Sequence, residues 1–449
     1  MCVCVWRAHA CMYYAASRRR RGDHSACGAT NRHRRLGLAI LLLLALPLSL
    51  MLLLLRGLPP SYHLRGFRSL TTHPEPIALG FGYSTGEHCH ADPPLLPPES
   101  RPSGCTAPAY AHQLMRAANG LTASVIIIAH NEAGCALRRT LLAVMSPSRA
   151  TALAEVIVVD DSSSPSASEA LAAAGGIQGT VRVRYLRSEE RLGVVRARTL
   201  AARRATAPVL AFLDAHCEPQ VGWLPPLLAL LAQSPKAVAL PVIERIDPRT
   251  WRYVPQANPS NPQVGVIADW NLTFGWRRLT AEEAERREES GDPLAPLRSP
   301  AMAGGVFAMT KEWFFGSGGY DEHLEVWGVE NIEMALRVWR CGGELLTLPC
   351  SRVGHVFRSR QPFTWPNATG AITVRRNAWR VATVWMEELA PAIALGRDAK
   401  VGRGFVHELE GRMALGARLE CKSFRWYIEN VFPDHPPFPD GFAWADDEA

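Results

Sequence analysis

A carboxylate and an imidazole, Asp214 and His216, stand two positions apart at the end of the apolar run PVLAFL. Side chains two residues apart in extended backbone point to the same side, so this pair can chelate one cation. Mixed carboxylate and imidazole ligands suit Mn²⁺, and a metal with open positions can bridge a diphosphate and neutralise a departing nucleotide. An aspartate that caps the next turn beside a histidine packed at the rim shows the same pattern, so D-A-H alone leaves both interpretations open.

The elements that must position this pair begin at Ala123, where short apolar runs alternate with helical stretches. Five runs are typical of buried strands: SVIIIAH, EVIVVDD, VRVRYL, PVLAFLD and AVALPVI. Three stretches between them are typical of helices: LRRTLLAVM, LGVVRARTLAARRA and WLPPLLALLAQ. This alternation predicts an α/β fold, a mostly parallel sheet covered by helices on both faces.

Ligands of open α/β sheets bind beyond the carboxyl ends of the strands. Two of the apolar runs end there in acid, at Asp160–Asp161 and at Asp214. No GxGxxG follows the first run and no GxxxxGK[ST] occurs, which removes the main support for a dinucleotide oxidoreductase or a P-loop enzyme. The pattern therefore places Asp214 in a site rather than in a core.

Residues 36–55 form an uncharged stretch that can cross a hydrocarbon layer ~30 Å thick as a helix. The alternatives are a signal peptide and a buried core helix. A signal peptide would have a shorter apolar core and a small-residue cleavage site, and a core helix would show polar positions. We expect a membrane anchor here, preceded by a cytosolic tail over 1–35. The Pro-rich residues 56–118 are expected to form a stem that carries a catalytic domain over 119–433.

The formal net charge of +7 resides entirely in residues 1–35, where eight arginines face one aspartate. The rest of the chain is balanced, so the pI near 8.9 reports topology rather than nucleic-acid binding. A basic flank stays cytosolic, which predicts a type II orientation with the large part in a lumen. The RRRR run also matches a nuclear signal or an RNA-binding patch, an interpretation that the neighbouring apolar stretch disfavours.

Ordered motifs along most of the chain resemble the polypeptide N-acetylgalactosaminyltransferases, which start mucin-type O-glycosylation in the Golgi. The resemblance extends from about Cys105 to about Pro433. It rests on SVIIIAHNEA, VVDDSS, LDAHCEPQVGWL, DWNLTFGW, MAGGVFAM, YDEHLEVWGVENIEMALRVWRCGG and CSRVGHVFR. It implies a GT-A fold and Mn²⁺-dependent, retaining transfer of GalNAc from UDP-GalNAc to Ser or Thr of polypeptides. In this family the leaving diphosphate is usually held to receive the proton of the acceptor hydroxyl.

The resemblance also implies roles for individual residues. The metal ligands fall on Asp214, His216 and His355. The nucleotide contacts fall on Asp161 and Arg191, with Arg358 and Trp327 closing over the diphosphate. The sugar pocket and the peptide groove account for the remaining positions: Arg198, Ala303, Gly304, Gly305, Glu330 and Asn331 for the sugar, and Phe274, Trp276 and Phe357 for the peptide. Glu333, one helical turn after Glu330, is equally compatible with a salt-bridged helix position.

Eleven cysteines are present, and spacing alone does not decide how they pair. The family resemblance implies the bridges Cys105–Cys350 and Cys341–Cys421, with Cys135 and Cys217 reduced. In a lumen, two sequons are candidate glycan acceptors: Asn271-Leu272-Thr273 and Asn367-Ala368-Thr369.

Several positions depart from the family pattern. Val329 replaces the second glycine of WGGEN beside the sugar pocket, and Phe363 takes the place of a nucleotide-side tyrosine. Leu192 replaces a common glutamate, Ile128 stands where some members have threonine, and Asn367-Ala368 replaces two glycines. None of these changes removes a metal ligand, so an active transferase is expected. A silent member that binds a UDP-sugar or a client protein, and an enzyme for another UDP-sugar, are the alternatives.

Most members of the family continue past the segment that corresponds to Cys421–Pro433 into a lectin domain. Residues 434–449 are Pro-rich, acidic and too few to bury a core of their own. We expect no lectin domain here, and therefore equal rates on a naked peptide and on one carrying a remote GalNAc.

Overall fold

The computed structural model describes residues 99–146, 151–179, 181–256, 258–259, 261–358, 364–366, 369–393 and 409–444. The expected cytosolic tail and membrane anchor, and the stem as far as residue 98, lie outside these residues, as do Phe363 and Asn367. Among the described residues, none of the helices combines the length and the apolarity that crossing a bilayer requires.

Twelve strands are described. They are β1 Ala123–Ala129, β2 Leu153–Asp161, β3 Val183–Ser188, β4 Val209–Asp214, β5 Cys217–Pro219, β6 Ala237–Ile246, β7 Tyr253–Val254, β8 Val264–Ile267, β9 Phe274–Arg277, β10 Leu297–Arg298, β11 Val306–Thr310 and β12 Glu344–Val356. Strands β8 and β9 pair with each other in a separate two-stranded sheet.

The main sheet has the order β10-β12-β6-β11-β4-β1-β2-β3, with β5 paired to β12 and β7 to β6. Strands β1 to β4 pair in parallel, as do β6 and β12, whereas β11 lies antiparallel between β4 and β6. The predicted mostly parallel sheet is therefore confirmed. Register aligns the strand ends, because Ile128 of β1 lies opposite Asp214 and Ala129 lies opposite Asp160.

Eleven α-helices are described around these strands, and a short 3₁₀ helix, Ser103–Thr106, precedes the first. They are α1 Pro108–Ala117, α2 Gly134–Met145, α3 Ala167–Ala173, α4 Val194–Arg204, α5 Leu224–Gln233, α6 Ala281–Ser290, α7 Lys311–Gly316, α8 Glu330–Arg340, α9 Gly370–Trp385, α10 Glu410–Arg418 and α11 Phe424–Asn430.

Helices cover both faces of the sheet, so each central strand is buried on both sides. Alternate residues of β1 belong to different apolar cores: Ile126 packs on the face covered by α4 and α8, while Val125 and Ile127 pack on the face covered by α2 and α5. Burial on two faces explains why β1 is a continuous apolar run instead of an alternating one.

Two predicted disulfides are present. Cys105 is bonded to Cys350 of β12, and Cys341, directly after α8, is bonded to Cys421. Cys217 is free and buried, as expected. The expectation that Cys135 stays reduced is wrong, because this residue is disulfide-bonded. Cys135 lies half-buried at the start of α2, and the spacing of cysteines along the sequence does not reveal its pairing.

Candidate active site

The three candidate metal ligands converge at the carboxyl edge of the sheet. Asp214 ends β4, His216 follows in the turn to β5, and His355 lies near the end of β12. Because β12 pairs antiparallel with β5, the register puts His355 opposite Cys217 and therefore beside His216. One ligand atom from each of the three side chains lies within 4.8 Å of the others. Long-range strand pairing, not sequence proximity, thus completes the set.

A glutamate that the sequence reasoning did not single out, Glu132, determines how His216 can bind. Nδ1 of His216 lies 3.0 Å from the Glu132 carboxylate, which only accepts, so Nδ1 carries the proton and donates. In the neutral ring this leaves Nε2 as the nitrogen with a free lone pair, which is the form that ligates metals. Burial opposes ionisation of Glu132, but hydrogen bonds from His216 and Arg358 hold its pKa below the ordinary value.

Arg358, expected at the diphosphate, is held by the same carboxylate. Its two terminal nitrogens donate to the Glu132 oxygens at 2.6 and 3.1 Å. Glu132 therefore links a candidate metal ligand to a candidate phosphate ligand. One signal in the sequence pointed to it: the HNEA motif places an acid just beyond β1, which neighbours both acid-ended strands.

Asp214 and His355 form the other half of the cluster. Burial raises the cost of the Asp214 charge, yet His355, Arg198 and His216 hold its pKa well below the ordinary value. Burial also lowers the pKa of His355, despite the Asp214 oxygen 3.3 Å from its Nε2. The other ring nitrogen of His355, Nδ1, is buried without a hydrogen-bond partner in the described part of the chain. One carboxylate and two imidazoles are a ligand set that fits a divalent cation of the Mn²⁺ kind.

The candidate uracil ligand, Asp161, is fully buried at the end of β2. It accepts hydrogen bonds from the backbone N–H groups of Leu192 and Gly193, at 2.6 and 2.9 Å, and is paired with Arg191. Burial lowers the pKa of Arg191 to about 10. Gly193 is required here, because its φ is +80° and a Cβ would lie 2.6 Å from the Val326 Cα. Asp161 therefore orders the turn before α4 that presents Arg191.

The candidate sugar pocket lies beside Asp214. Arg198 donates to Asp214 Oδ1 at 3.0 Å and lies 3.9 Å from Glu330, and its other terminal nitrogen donates to the Tyr320 hydroxyl at 3.2 Å. Burial raises the pKa of Glu330, an effect that Arg198 opposes. Tyr320 was not predicted, and nothing in its local sequence distinguishes it from an ordinary core aromatic.

The loop before β11 passes so close to these residues that only glycine fits. A Cβ on Gly305 would lie 2.1 Å from Asp214 Oδ2, and one on Gly304 would lie 3.0 Å from the Asn331 Cβ. Asn331 donates to the Met302 carbonyl at 2.8 Å, and Ala303 is half-buried between them. The loop is thus held directly against the start of α8.

The aromatic residues expected along the peptide groove, and Trp327, which is expected at the diphosphate, remain partly open. Phe357 is 46% exposed, Trp327 47% and Trp276 36%, whereas Phe274 packs edge-on against Trp276 with ring centroids 5.0 Å apart. Large apolar side chains at this exposure are typical of surfaces that take a partner. Phe357 also lies over His355, with centroids 4.5 Å apart, which connects this surface to the metal cluster.

Two positions near the start of α8 resolve questions that the sequence left open. Glu333 is fully buried and bonded twice to Arg337, at 2.8 and 3.0 Å, so it is a helix-stabilising ion pair and not a sugar ligand. Val329 is buried and has a φ of +61°, in the left-handed region that glycine adopts at little cost. The valine therefore adds both backbone strain and bulk beside Glu330.

Two family models match the chain. The model "Glycosyl transferase family 2" matches residues 124–314, and "N-terminal domain of galactosyltransferase" matches residues 290–361. Polypeptide N-acetylgalactosaminyltransferase 4 of Caenorhabditis elegans is 43% identical over 310 residues, which are 69% of this chain and 50% of that protein. Human polypeptide N-acetylgalactosaminyltransferase 3 is 42% identical over 343 residues, which are 76% of this chain and 52% of that protein. The chain thus spans about half the length of these curated relatives.

A solved structure is also similar. The crystal structure of GalNAc-T7 with UDP, GalNAc and Mn²⁺ superposes with a TM-score of 0.60 at 30% sequence identity. The match covers 76% of this chain and 62% of that one.

Proposed function

Because the chain belongs to the polypeptide N-acetylgalactosaminyltransferase family and has its GT-A fold, we propose that it transfers GalNAc from UDP-GalNAc to Ser or Thr hydroxyls of polypeptides. The observation that carries this proposal is the convergence of Asp214, His216 and His355 at the sheet edge where α/β folds bind ligands. The Mn²⁺ bound to the similar GalNAc-T7 supports the same cation here.

The metal would be held by Asp214, His216 and His355, and neighbouring side chains orient these ligands. Glu132 fixes the Nδ1-protonated tautomer of His216, while Arg198 holds one Asp214 oxygen and leaves the other turned toward His355. When bound, the cation supplies positive charge that stabilises a departing diphosphate. Arg358, held by Glu132 at the same edge, contributes a further positive charge with fixed donor directions.

The sugar is assigned to the pocket formed by Arg198, Glu330 and Asn331. Gly304 and Gly305 allow the loop before β11 to approach, which leaves polar side chains of α8 facing the same space as Asp214. Burial raises the pKa of Glu330, an effect that Arg198 opposes, and its carboxyl oxygens can accept hydrogen bonds from sugar hydroxyls. Asp161 and Arg191 would bind the nucleoside side of the donor, and Trp327 would close over the diphosphate with Arg358. Phe363, expected on the nucleotide side, lies outside the described residues. Phe274, Trp276 and Phe357 would line the peptide path.

The proposal also covers cellular location and domain organisation. Residues 36–55 would anchor the chain in the Golgi membrane, with 1–35 in the cytosol, 56–118 as a stem and the catalytic domain, 119–433, in the lumen. Disulfide bonds in the described part of the chain support an oxidising compartment of this kind. A protease-protection assay on intact vesicles tests it, because a digested catalytic domain would contradict a lumenal orientation.

Val329 favours a second candidate function, a member with weak or absent transfer that still binds a UDP-sugar. A β-branched residue in the left-handed region costs about 1–2 kcal/mol, and this one is packed beside the sugar pocket. Val329→Gly removes both the strain and the side chain. A rise in transfer rate in this variant would show that the valine limits the natural enzyme, whereas no activity in either form would favour the binding function.

One assay separates these functions. The purified chain is incubated with Mn²⁺, a random Ser/Thr peptide library and either UDP-GalNAc or UDP-GlcNAc, and both UDP release and glycosylated peptides are measured. We expect GalNAc transfer that disappears with a chelator. Sugar transfer only from UDP-GlcNAc would indicate another donor, and UDP-sugar binding without peptide modification would contradict the transferase.

A further inference from the structure

The hairpin formed by β8 and β9 needs support from outside itself. Its strands have only four residues each, and a two-stranded hairpin of this size is marginally stable alone. It carries the exposed Trp276 and the half-buried Phe274, which are two positions apart and therefore on one face. Whatever holds this hairpin determines where the two rings lie.

On one side the hairpin contacts the segment that leads into the loop before β11, beside the candidate sugar pocket. Gly265 of β8 pairs with Ala301, and its backbone N–H donates to the Ser299 hydroxyl at 2.9 Å. A Cβ on Gly265 would lie 2.5 Å from the Ala301 carbonyl oxygen and 2.8 Å from the Phe274 ring. Phe274 is thereby set against the segment that leads to Gly304 and Gly305. This contact supports only one edge of the hairpin.

On the other side the hairpin is held by residues 434–444, which we call the clamp segment. The ring of Phe438 stacks on Trp270 in the hairpin turn, with centroids 5.3 Å apart and planes 14° apart. The Trp270 indole N–H donates to the Pro437 carbonyl at 2.8 Å. Trp270 is only 7% exposed, and the rings of Phe438, Phe424 and His435 surround it.

The far end of the hairpin is held by charge. Arg277, the last residue of β9, has its Nε 2.7 Å from an Asp434 oxygen and also pairs with Glu283 of α6 at 2.6 Å. The clamp segment therefore contacts both the turn and the final residue of the hairpin. The rings of Phe438, Phe442 and Trp444 pack together, and Trp444 continues onto Phe424 of α11, 6.4 Å away. The clamp is thus anchored to the body of the fold.

We propose that the clamp segment is a positioning element of the acceptor site, which holds the β8–β9 hairpin so that Phe274 and Trp276 face an incoming peptide. The inference rests on the proposed function, because it assigns an acceptor polypeptide to that aromatic face. The clamp acts through the hairpin and contacts neither the metal cluster nor the sugar pocket in the described residues. It therefore predicts a selective effect on peptide binding.

The test compares Phe438→Ala and Asp434→Asn with Asp440→Asn, an exposed carboxylate of the same segment that has no ion pair with the hairpin in the described structure. Binding of a fluorescein-labelled Ser/Thr peptide and of UDP with Mn²⁺ is measured separately, alongside hydrogen exchange of amides 264–277. We expect the first two variants to weaken peptide binding about 5- to 20-fold and to speed exchange in the hairpin. UDP binding and exchange in β1 and β4 should stay unchanged, and the control should match the wild type.

Two results would contradict the proposed role of the clamp segment. One is unchanged hairpin exchange and unchanged peptide affinity in Phe438→Ala; the other is an equal loss of UDP and peptide binding, which indicates a general structural role. A failure of the proposed function looks different, because the wild type would then bind UDP and peptide without transferring a sugar. In that case the peptide affinities still decide whether the clamp positions a peptide-binding face.

Discussion

Strands β2 and β4 lie on either side of β1, and both end in aspartate at the same edge of the sheet, yet the two ends do different work. At β2, the oxygens of Asp160 accept from the backbone N–H groups of Ser163 and Ala167, both at 2.9 Å, and pair with Arg187. Asp161 is compensated in the same way by the turn before α4. Backbone N–H groups of nearby turns, together with arginines, thus bind both carboxylates.

At β4 the single aspartate is turned toward other side chains. The Asp214 side chain keeps 30% exposure, accepts from Arg198 and faces His355. The chain after β2 bends back, with Ser162 at a φ of +59°, and presents amide groups to Asp160, while the turn before α4 presents amide groups to Asp161. After β4 the chain runs on into β5 and brings His216 instead. The acids at the end of β2 are thus compensated largely by backbone N–H groups of nearby turns, whereas Asp214 is compensated by side chains of other elements.

The largest expected effect is a loss of activity that distinguishes the end of β4 from the end of β2. Asp214→Asn should reduce transfer at least ~1,000-fold, because losing one metal ligand removes several kcal/mol of stabilisation from the leaving group and each ~1.4 kcal/mol is tenfold in rate. Folding should be retained. UDP release and Mn²⁺ binding by calorimetry measure the first effect, and thermal unfolding measures the second. Turnover near the wild-type rate would remove the metal assignment.

Asp160→Asn should show the reverse pattern. The amide keeps one acceptor oxygen but loses the charge that faces Arg187 and two backbone donors, so we expect a loss of about 2–3 kcal/mol in the free energy of unfolding. Urea denaturation measures it. The rate per folded molecule should stay within a few-fold of the wild type. A stable variant without activity would show that both strand ends serve the reaction.

A smaller effect is expected at Glu132, which connects β1 to the β4 end. Glu132→Ala removes the acceptor that fixes the His216 tautomer and should weaken Mn²⁺ affinity about 10- to 100-fold. Glu132→Gln retains an acceptor oxygen and should recover much of that affinity, although Arg358 loses its ion pair. Manganese titration followed by electron paramagnetic resonance measures both. Equal affinities in all three proteins would leave Glu132 with a purely structural role.

The smallest effect concerns the β2 end and pH. His130 Nδ1 donates to the Asp161 carbonyl at 2.5 Å, and burial, followed by Arg191, lowers the pKa of His130 to about 4. Between about pH 6.5 and 4 the unfolded chain therefore binds more protons at this residue, so the stability of the folded state falls as pH falls through that window. His130→Gln should flatten this part of the stability profile, measured by urea midpoints at several pH values. An unchanged slope would contradict the low pKa.

The central strands and the edge that holds the site could be predicted from the sequence because they depend on local periodicity. Apolar runs predicted the central strands, and their acid ends predicted the edge that holds the site. Asp214 and His216 could be paired because a strand repeats every two residues. His355 and the bridges Cys105–Cys350 and Cys341–Cys421 entered through the family motifs, which carry long-range information that spacing lacks.

Tertiary structure decided what depends on which elements become neighbours. Nothing near Glu132 in the sequence shows that it lies against His216 and Arg358, and nothing near Cys135 shows that it is disulfide-bonded. The difference between Glu330, beside Arg198, and Glu333, paired with Arg337, arises because two positions one helical turn apart meet different neighbours in the fold. Residues 434–444 cannot form a core alone, but they pack on Trp270 because the hairpin offers apolar surface that would otherwise meet water. Such contacts form only when the chain closes on itself, so no local pattern encodes them.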